Sequence, residues 1–208
     1  MQRLLALIAV LLLGSLLLWL LLGWQPSAVS TDAHRQLDLQ SRPTGGDFEL
    51  ISAAGPWRLS DHRGQVVLLY FGYSACPDIC PTNLAIIALA LRSLSAEELE
   101  RVRVVFVSLD PERDSPARLA EYVAFFHPAM IGVTGSEEAV AAAASAYGAA
   151  YRRVDDASSA MSYSLDHSAY SYVIDGSGAL VEVIDHATPA EEIATLIRRE
   201  LNARDERP

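Results

Sequence analysis

Residues 66–82 read VVLLYFGYSACPDICPT. The first six, Val66 to Phe71, form an unbroken apolar run, the pattern of a strand buried on both faces. Gly72 and the polar residues after it mark a turn. Pro81 suits the first turn of a helix, where its missing N–H would have had no partner anyway. The stretch therefore predicts a strand that hands over to a helix, with Cys76 and Cys80 at the junction. These are the only two cysteines in 208 residues, which excludes a disulfide-rich scaffold.

Outward from this junction, strand and helix patterns alternate. Residues 48–51 and 57–59 read as a short hairpin. Further buried strands are expected over 102–109 (VRVVFVSL) and 129–133. Helices are expected over 81–95, 115–126 and 136–147; Ser115 and Ser136 serve as caps, and Pro116 takes the first helical position. Strands at 170–174 and 180–184 flank the turn Asp175-Gly176-Ser177-Gly178. Thr188 as cap and Glu191 at the capping-box position open a last helix. Strands separated by helices, closing on an antiparallel hairpin and a helix, predict an α/β domain of three layers with a mixed central sheet. The order contains the thioredoxin arrangement with an inserted helical unit.

The N-terminus is of another kind. Residues 4–24 (LLALIAVLLLGSLLLWLLLGW) carry no charge, and about 20 apolar residues in a helix cross a hydrocarbon core of about 30 Å. Trp19 and Trp24 fall towards one end, where indoles favour the interface, and Arg3 on the other side leaves the start in the cytoplasm. The run is longer than the apolar region of about 7–15 residues in a signal peptide, so an uncleaved anchor is the favoured reading. The expected organisation is a cytoplasmic start at 1–3, a transmembrane anchor at 4–24, a flexible linker at 25–44, a folded domain at 45–203 and a tail at 204–208. The formal net charge of −10 argues against nucleic acid, whose binders present basic patches.

Two thiols at i and i+4 can point to one spot if the turn is helical. A helix N-terminus lowers the pKa of a thiol there, and thiolate is both a nucleophile and a ligand for soft metals. Metal binding and thiol–disulfide exchange are both open, the latter through a reversible Cys76–Cys80 disulfide. Three intervening residues, Pro77-Asp78-Ile79, depart from the two found in thioredoxin-like oxidoreductases. Two thiolates alone complete no common metal site, so a third ligand is to be sought, and five histidines are available. His34, His62, His127 and His186 read as surface residues. His167, in Ser164-Leu165-Asp166-His167-Ser168, precedes the 170–174 strand where a thioredoxin layout brings a loop to the cysteines. Residue chemistry alone leaves it open between ligand and satisfied loop histidine. Asp166 is placed to support the imidazole as an acidic neighbour. Met130 and Met161 read as packing residues, and the Asp110–Asp114 turn as structural rather than partner-binding.

The run Tyr70-Phe71-Gly72-Tyr73-Ser74-Ala75-Cys76-Pro77-Asp78-Ile79-Cys80-Pro81-Thr82 closely resembles the Sco/SenC family of membrane-anchored copper proteins. Val107-Ser108-Leu109-Asp110-Pro111-Glu112-Arg113-Asp114-Ser115-Pro116, Ile131-Gly132-Val133-Thr134-Gly135 and Asp166-His167-Ser168 agree in family order. Ser74 and Ser168 stand where threonine is also usual. The resemblance implies a thioredoxin-like fold binding one copper per monomer, as Cu(I) or Cu(II), through Cys76, Cys80 and His167. Asp166 would be the neighbour of the histidine, and Asp78 would shape the metal loop or face a partner. It further implies a chaperone, not primarily an enzyme, that takes copper from a donor protein and delivers it to the copper A centre of cytochrome c oxidase subunit II. The alternative is a thiol–disulfide reductase keeping exported cysteines reduced. The expected location is the bacterial inner membrane, single-pass, with the C-terminal domain in the periplasm.

Overall fold

Why the cysteine junction sits where it does follows from the order of elements in the computed structural model. The structure describes residues 13–19, 43–155 and 161–205. The strands are β1 (Glu49–Ser52), β2 (Gly55–Arg58), β3 (Val66–Gly72), β4 (Val102–Ser108), β5 (Met130–Thr134), β6 (Tyr151–Asp155), β7 (Tyr163–His167), β8 (Ser171–Ile174) and β9 (Leu180–Ile184). The helices are α1 (Ile79–Arg92), α2 (Ala96–Glu100), α3 (Pro116–Phe126), α4 (Glu137–Ala146) and α5 (Ala190–Asp205), with a 3₁₀ turn at Leu59–His62. A seven-stranded sheet runs β2-β1-β5-β4-β3-β8-β9, and β6 and β7 form a separate ribbon. β3, β4 and β5 are parallel; every other pair is antiparallel. The domain is the expected α/β thioredoxin-like one with a mixed sheet.

β3 is buried along its whole length, as its unbroken apolar run requires. Its side chains alternate. Tyr70 and Gly72 share the face on which α1 packs, since a Cβ at Gly72 would lie 2.6 Å from Cys80 Sγ. Phe71 points to the other face, where its ring meets Tyr147 and Tyr172 at 5.9 and 5.6 Å. On the first face α1 packs against α5 and α3.

Ser115 and Ser136 cap their helices as expected, each accepting from the backbone N–H three residues on. Three expectations are corrected. The first helix begins at Ile79 rather than Pro81, which leaves the proline still within the first turn. Thr188 donates its hydroxyl to the Asp185 carbonyl at 2.9 Å, and the last helix begins two residues later. His167 closes strand β7 instead of lying in a loop. One short helix, α2, went unread although Ser95 and Glu98 form a full capping box.

The chain divides into two units, Met1–Arg35 and Gln36–Pro208. In the first, residues 13–19 are helical and Leu13, Leu16, Leu17, Leu18 and Trp19 are exposed. The rest of the expected anchor at 4–24, and residues 25–42 of the expected linker, lie outside the described residues. Among the described residues no helix is long and apolar enough to cross a membrane.

The turn after β4 holds the cysteine loop in place. Asp114 is fully buried. Its carboxylate accepts from the Ser74 backbone N–H at 2.9 Å, from the Ser74 hydroxyl, and from the Ser108 hydroxyl at 2.6 Å. The structural reading of the Asp110–Asp114 turn is thus met by a specific device. Asp114→Ala leaves an amide and two hydroxyls short of an acceptor and is expected to destabilise the domain by about 3 kcal/mol. Urea unfolding checks this, and an unchanged midpoint would contradict it.

Candidate metal centre

Cys76 and Cys80 sit where β3 gives way to α1, and a chain of backbone contacts fixes their approach. The Leu109 N–H donates to the Gly72 carbonyl at 2.7 Å, and the Cys76 N–H to the Tyr73 carbonyl at 3.2 Å. Cys80 lies in the first turn of α1 and is fully buried; Cys76 is half-buried. The glycine at 72 is required, because a Cβ there would meet the Cys80 sulfur at 2.6 Å and the Phe106 ring at 2.9 Å. Both thiols are free.

His167 reaches the cysteines from the β6–β7 ribbon. In β7 the buried residues are Tyr163, Leu165 and His167, while Ser164 and Asp166 point outward. The ribbon is anchored to the turn after β4 through Tyr163. Its hydroxyl donates to Asp110 at 2.7 Å, and the Arg113 and Arg153 guanidinium groups lie 3.7 and 3.5 Å from its ring centroid. Two groups so close can only occupy opposite faces of the ring. Arg113 also donates to the Tyr163 carbonyl at 3.1 Å and pairs with Asp110. These contacts set the register from which His167, four residues on, meets Cys80.

The Nδ1 of His167 lies 2.9 Å from the Ser168 carbonyl. A carbonyl only accepts, so Nδ1 carries the proton and Nε2 presents its lone pair, 3.3 Å from Cys80 Sγ. The two sulfurs and a ring nitrogen of His167 all lie within 4.8 Å of one another. At bond lengths of about 2.0–2.3 Å, the separation of Nε2 and the Cys80 sulfur subtends an angle of about 100° at a shared ion. Two thiolates and an imidazole form a soft set that suits copper or zinc, and three donors leave a coordination position open.

The two thiols are unlike. Cys76 is held down at about 4, chiefly by a hydrogen bond from the Cys80 thiol. The backbone N–H groups of Asp78 and Cys80 add to this against an opposing effect of burial. The Cys80 N–H stands 3.5 Å from the Cys76 sulfur. Cys80 is pushed up, first by burial and then by the neighbouring Cys76. The pair thus holds one proton, on the inner sulfur.

Asp166 pairs with Arg152 across the ribbon at 2.7 Å. It faces away from the imidazole because strand alternation turns it outward, and the Ser168 carbonyl fills the place expected for it at Nδ1. Asp78 stands just before α1, exposed, with Thr82 Oγ1 at 3.4 Å from its carboxylate. His62 stacks on Trp57 at 5.0 Å, and His127 accepts from the Ala129 N–H at 3.2 Å; neither joins the cluster. His34 lies outside the described residues. His186 is half-buried, its pKa is lowered chiefly by burial, and it does not belong to the donor set. Met161 is exposed and Met130 is in the core. Four contributors went unread in the sequence: Gly72, Tyr163, Arg113 and the Ser168 carbonyl.

The family model described as SCO1/SenC matches residues 37–202. The mouse protein SCO2 homolog, mitochondrial, is 41% identical over 160 residues, covering 76% of this chain and 62% of the mouse protein. The solution structure of apo Sco1 from Thermus thermophilus is 36% identical with a TM-score of 0.69, covering 79% of this chain and 98% of that one. A structure of Bradyrhizobium japonicum ScoI with copper bound is 32% identical with a TM-score of 0.69, covering 76% and 99%.

Because the Cys80 thiol and the helix-end N–H groups hold Cys76 as thiolate, its alkylation by iodoacetamide should be nearly independent of pH between 6 and 8. An ordinary cysteine there gains about tenfold per unit. Cys80→Ala should move the onset upward. Mass spectrometry of the modified peptide checks both, and an ordinary pH profile at Cys76 would contradict the reading.

Proposed function

The chain belongs to the SCO1/SenC family, and on that premise we propose that it is a membrane-anchored copper chaperone. One copper ion, Cu(I) or Cu(II), is carried between Cys76, Cys80 and His167. The observation that carries the reading is the convergence of these three donors, two of them buried, at the end of a rigid sheet. Copper bound in the similar Bradyrhizobium protein supports the choice of ion. Residues 4–24 anchor the chain in the bacterial inner membrane and leave the domain in the periplasm. The acceptor is the copper A site of cytochrome c oxidase subunit II, and a separate donor protein supplies the ion. Confinement of the domain to the membrane plane raises its effective concentration near such an acceptor.

The chain's own residues account for both holding and release. Cys76 is the accessible donor and is already ionised, so it takes the ion first. Cys80 then gives up its proton, and His167 supplies a neutral nitrogen whose orientation the Ser168 carbonyl fixes. With three donors, an incoming thiolate of the acceptor can enter the open position and displace Cys76. Asp78, exposed beside the loop, faces that acceptor.

The unequal thiols favour a second reading. An ionised outer sulfur beside a protonated inner one is the division of labour of a dithiol reductase, in which Cys76 attacks a target disulfide and Cys80 resolves the mixed disulfide. The two roles are compatible, since acceptor cysteines must be reduced before they are loaded.

An anaerobic titration of the reduced domain decides between them. Chaperone function predicts one copper per chain, lost in Cys76→Ala, with no stable Cu(II) form in His167→Ala. It also predicts release of about one proton on binding at pH 7, from Cys80, so that affinity falls as pH falls. Absence of specific copper together with turnover of a disulfide substrate would transfer the assignment to the reductase.

A further inference from the structure

Beneath the Cys80 sulfur lies a group that the donor set does not use. Tyr70 and Gly72 share one face of β3, and the space left by the missing Cβ of Gly72 is filled by the Cys80 sulfur. The Tyr70 side chain is wholly buried, with its ring edge-on to His167 at 6.4 Å and tilted against Phe106 at 6.0 Å. Its hydroxyl is buried too and has no hydrogen-bond partner. Native interiors rarely leave such a hydroxyl unpaired without a reason. Burial pushes the phenol up, and the Cys80 sulfur beside it adds to this. The neighbouring Tyr122 hydroxyl is also buried and unpaired, but Tyr122 belongs to α3 and its ring packs on Phe106 and Phe126, at 5.5 and 5.3 Å.

We propose that Tyr70 is a positioning residue of the metal centre, whose hydroxyl donates a hydrogen bond to the Cys80 sulfur when that sulfur is bound to the ion. This deepens the copper reading and rests on it. A thiolate of Cys80 bound to an ion keeps lone pairs free, and the Tyr70 phenol lies on the β3 face against which that sulfur packs. The bond directs the sulfur and withdraws electron density from it. Hydrogen bonding around a ligating sulfur tunes copper sites, and here it stabilises Cu(I) relative to Cu(II).

The test compares the full-length protein, loaded with Cu(II) and separately with Co(II), as wild type, Tyr70→Phe and Tyr122→Phe. Tyr70→Phe removes one oxygen and is expected to shift the sulfur-to-metal charge-transfer band to longer wavelength and to lower the Cu(II)/Cu(I) potential. Tyr122→Phe should leave both in place. Replacing Tyr70 with 3-fluorotyrosine, a stronger donor of nearly the same size, should move the band the opposite way and keeps the question open to test if Tyr70→Phe folds poorly. A wild-type band reproduced unshifted in the position-70 variants overturns this inference alone. A wild type that binds neither ion overturns the copper reading as well.

Discussion

The carboxylate of Asp114 is the constraint on which the site rests. It accepts from the Ser74 backbone, the Ser74 hydroxyl and the Ser108 hydroxyl, joining the end of β4 to the loop that carries Cys76. A carboxylate with no exposure is tolerated only when its lone pairs are met, and here three donors meet them. Gly72 opposite Ser108 in register brings the two strand ends level, so the loop leaves the sheet in one direction. The position of Cys76 and its approach to the N-terminus of α1 follow from that geometry.

The sheet and its helices were legible because their signals are local. Val66 to Phe71 could be little else than a buried strand, and Ser115 followed by Pro116 announced a helix start that the structure keeps. Cys76 and Cys80 stood out by spacing. His167 did not: residue chemistry left it undecided, and only the similarity of whole blocks to a family singled it out. The ribbon that delivers it explains why. β6 is mostly exposed and carries Arg152 and Arg153 in sequence, so it lacks the hydrophobic alternation by which strands are read. Its cohesion comes from the Arg152–Asp166 pair and the guanidinium groups about Tyr163, contacts between residues far apart in the chain.

The same reasoning accounts for Asp166. Adjacency in sequence suggested that it would support the histidine, but neighbours in a strand face opposite ways. The support comes from the Ser168 carbonyl, which no side-chain pattern reveals. Gly72 belongs to the same class. Its role is the absence of a Cβ beside the Cys80 sulfur, and an absence is visible only once the sulfur is placed against it.

His167 and Cys80 are 87 residues apart in the chain. As the chain is synthesised, the cysteine loop emerges well before the ribbon, and an early chain offers a bare dithiol to any ion or oxidant. The third donor joins only when β7 has docked on the turn after β4. Capture of an ion by all three is therefore a report that folding has finished, and the ion, by binding the native state alone, stabilises the chain that has passed this check.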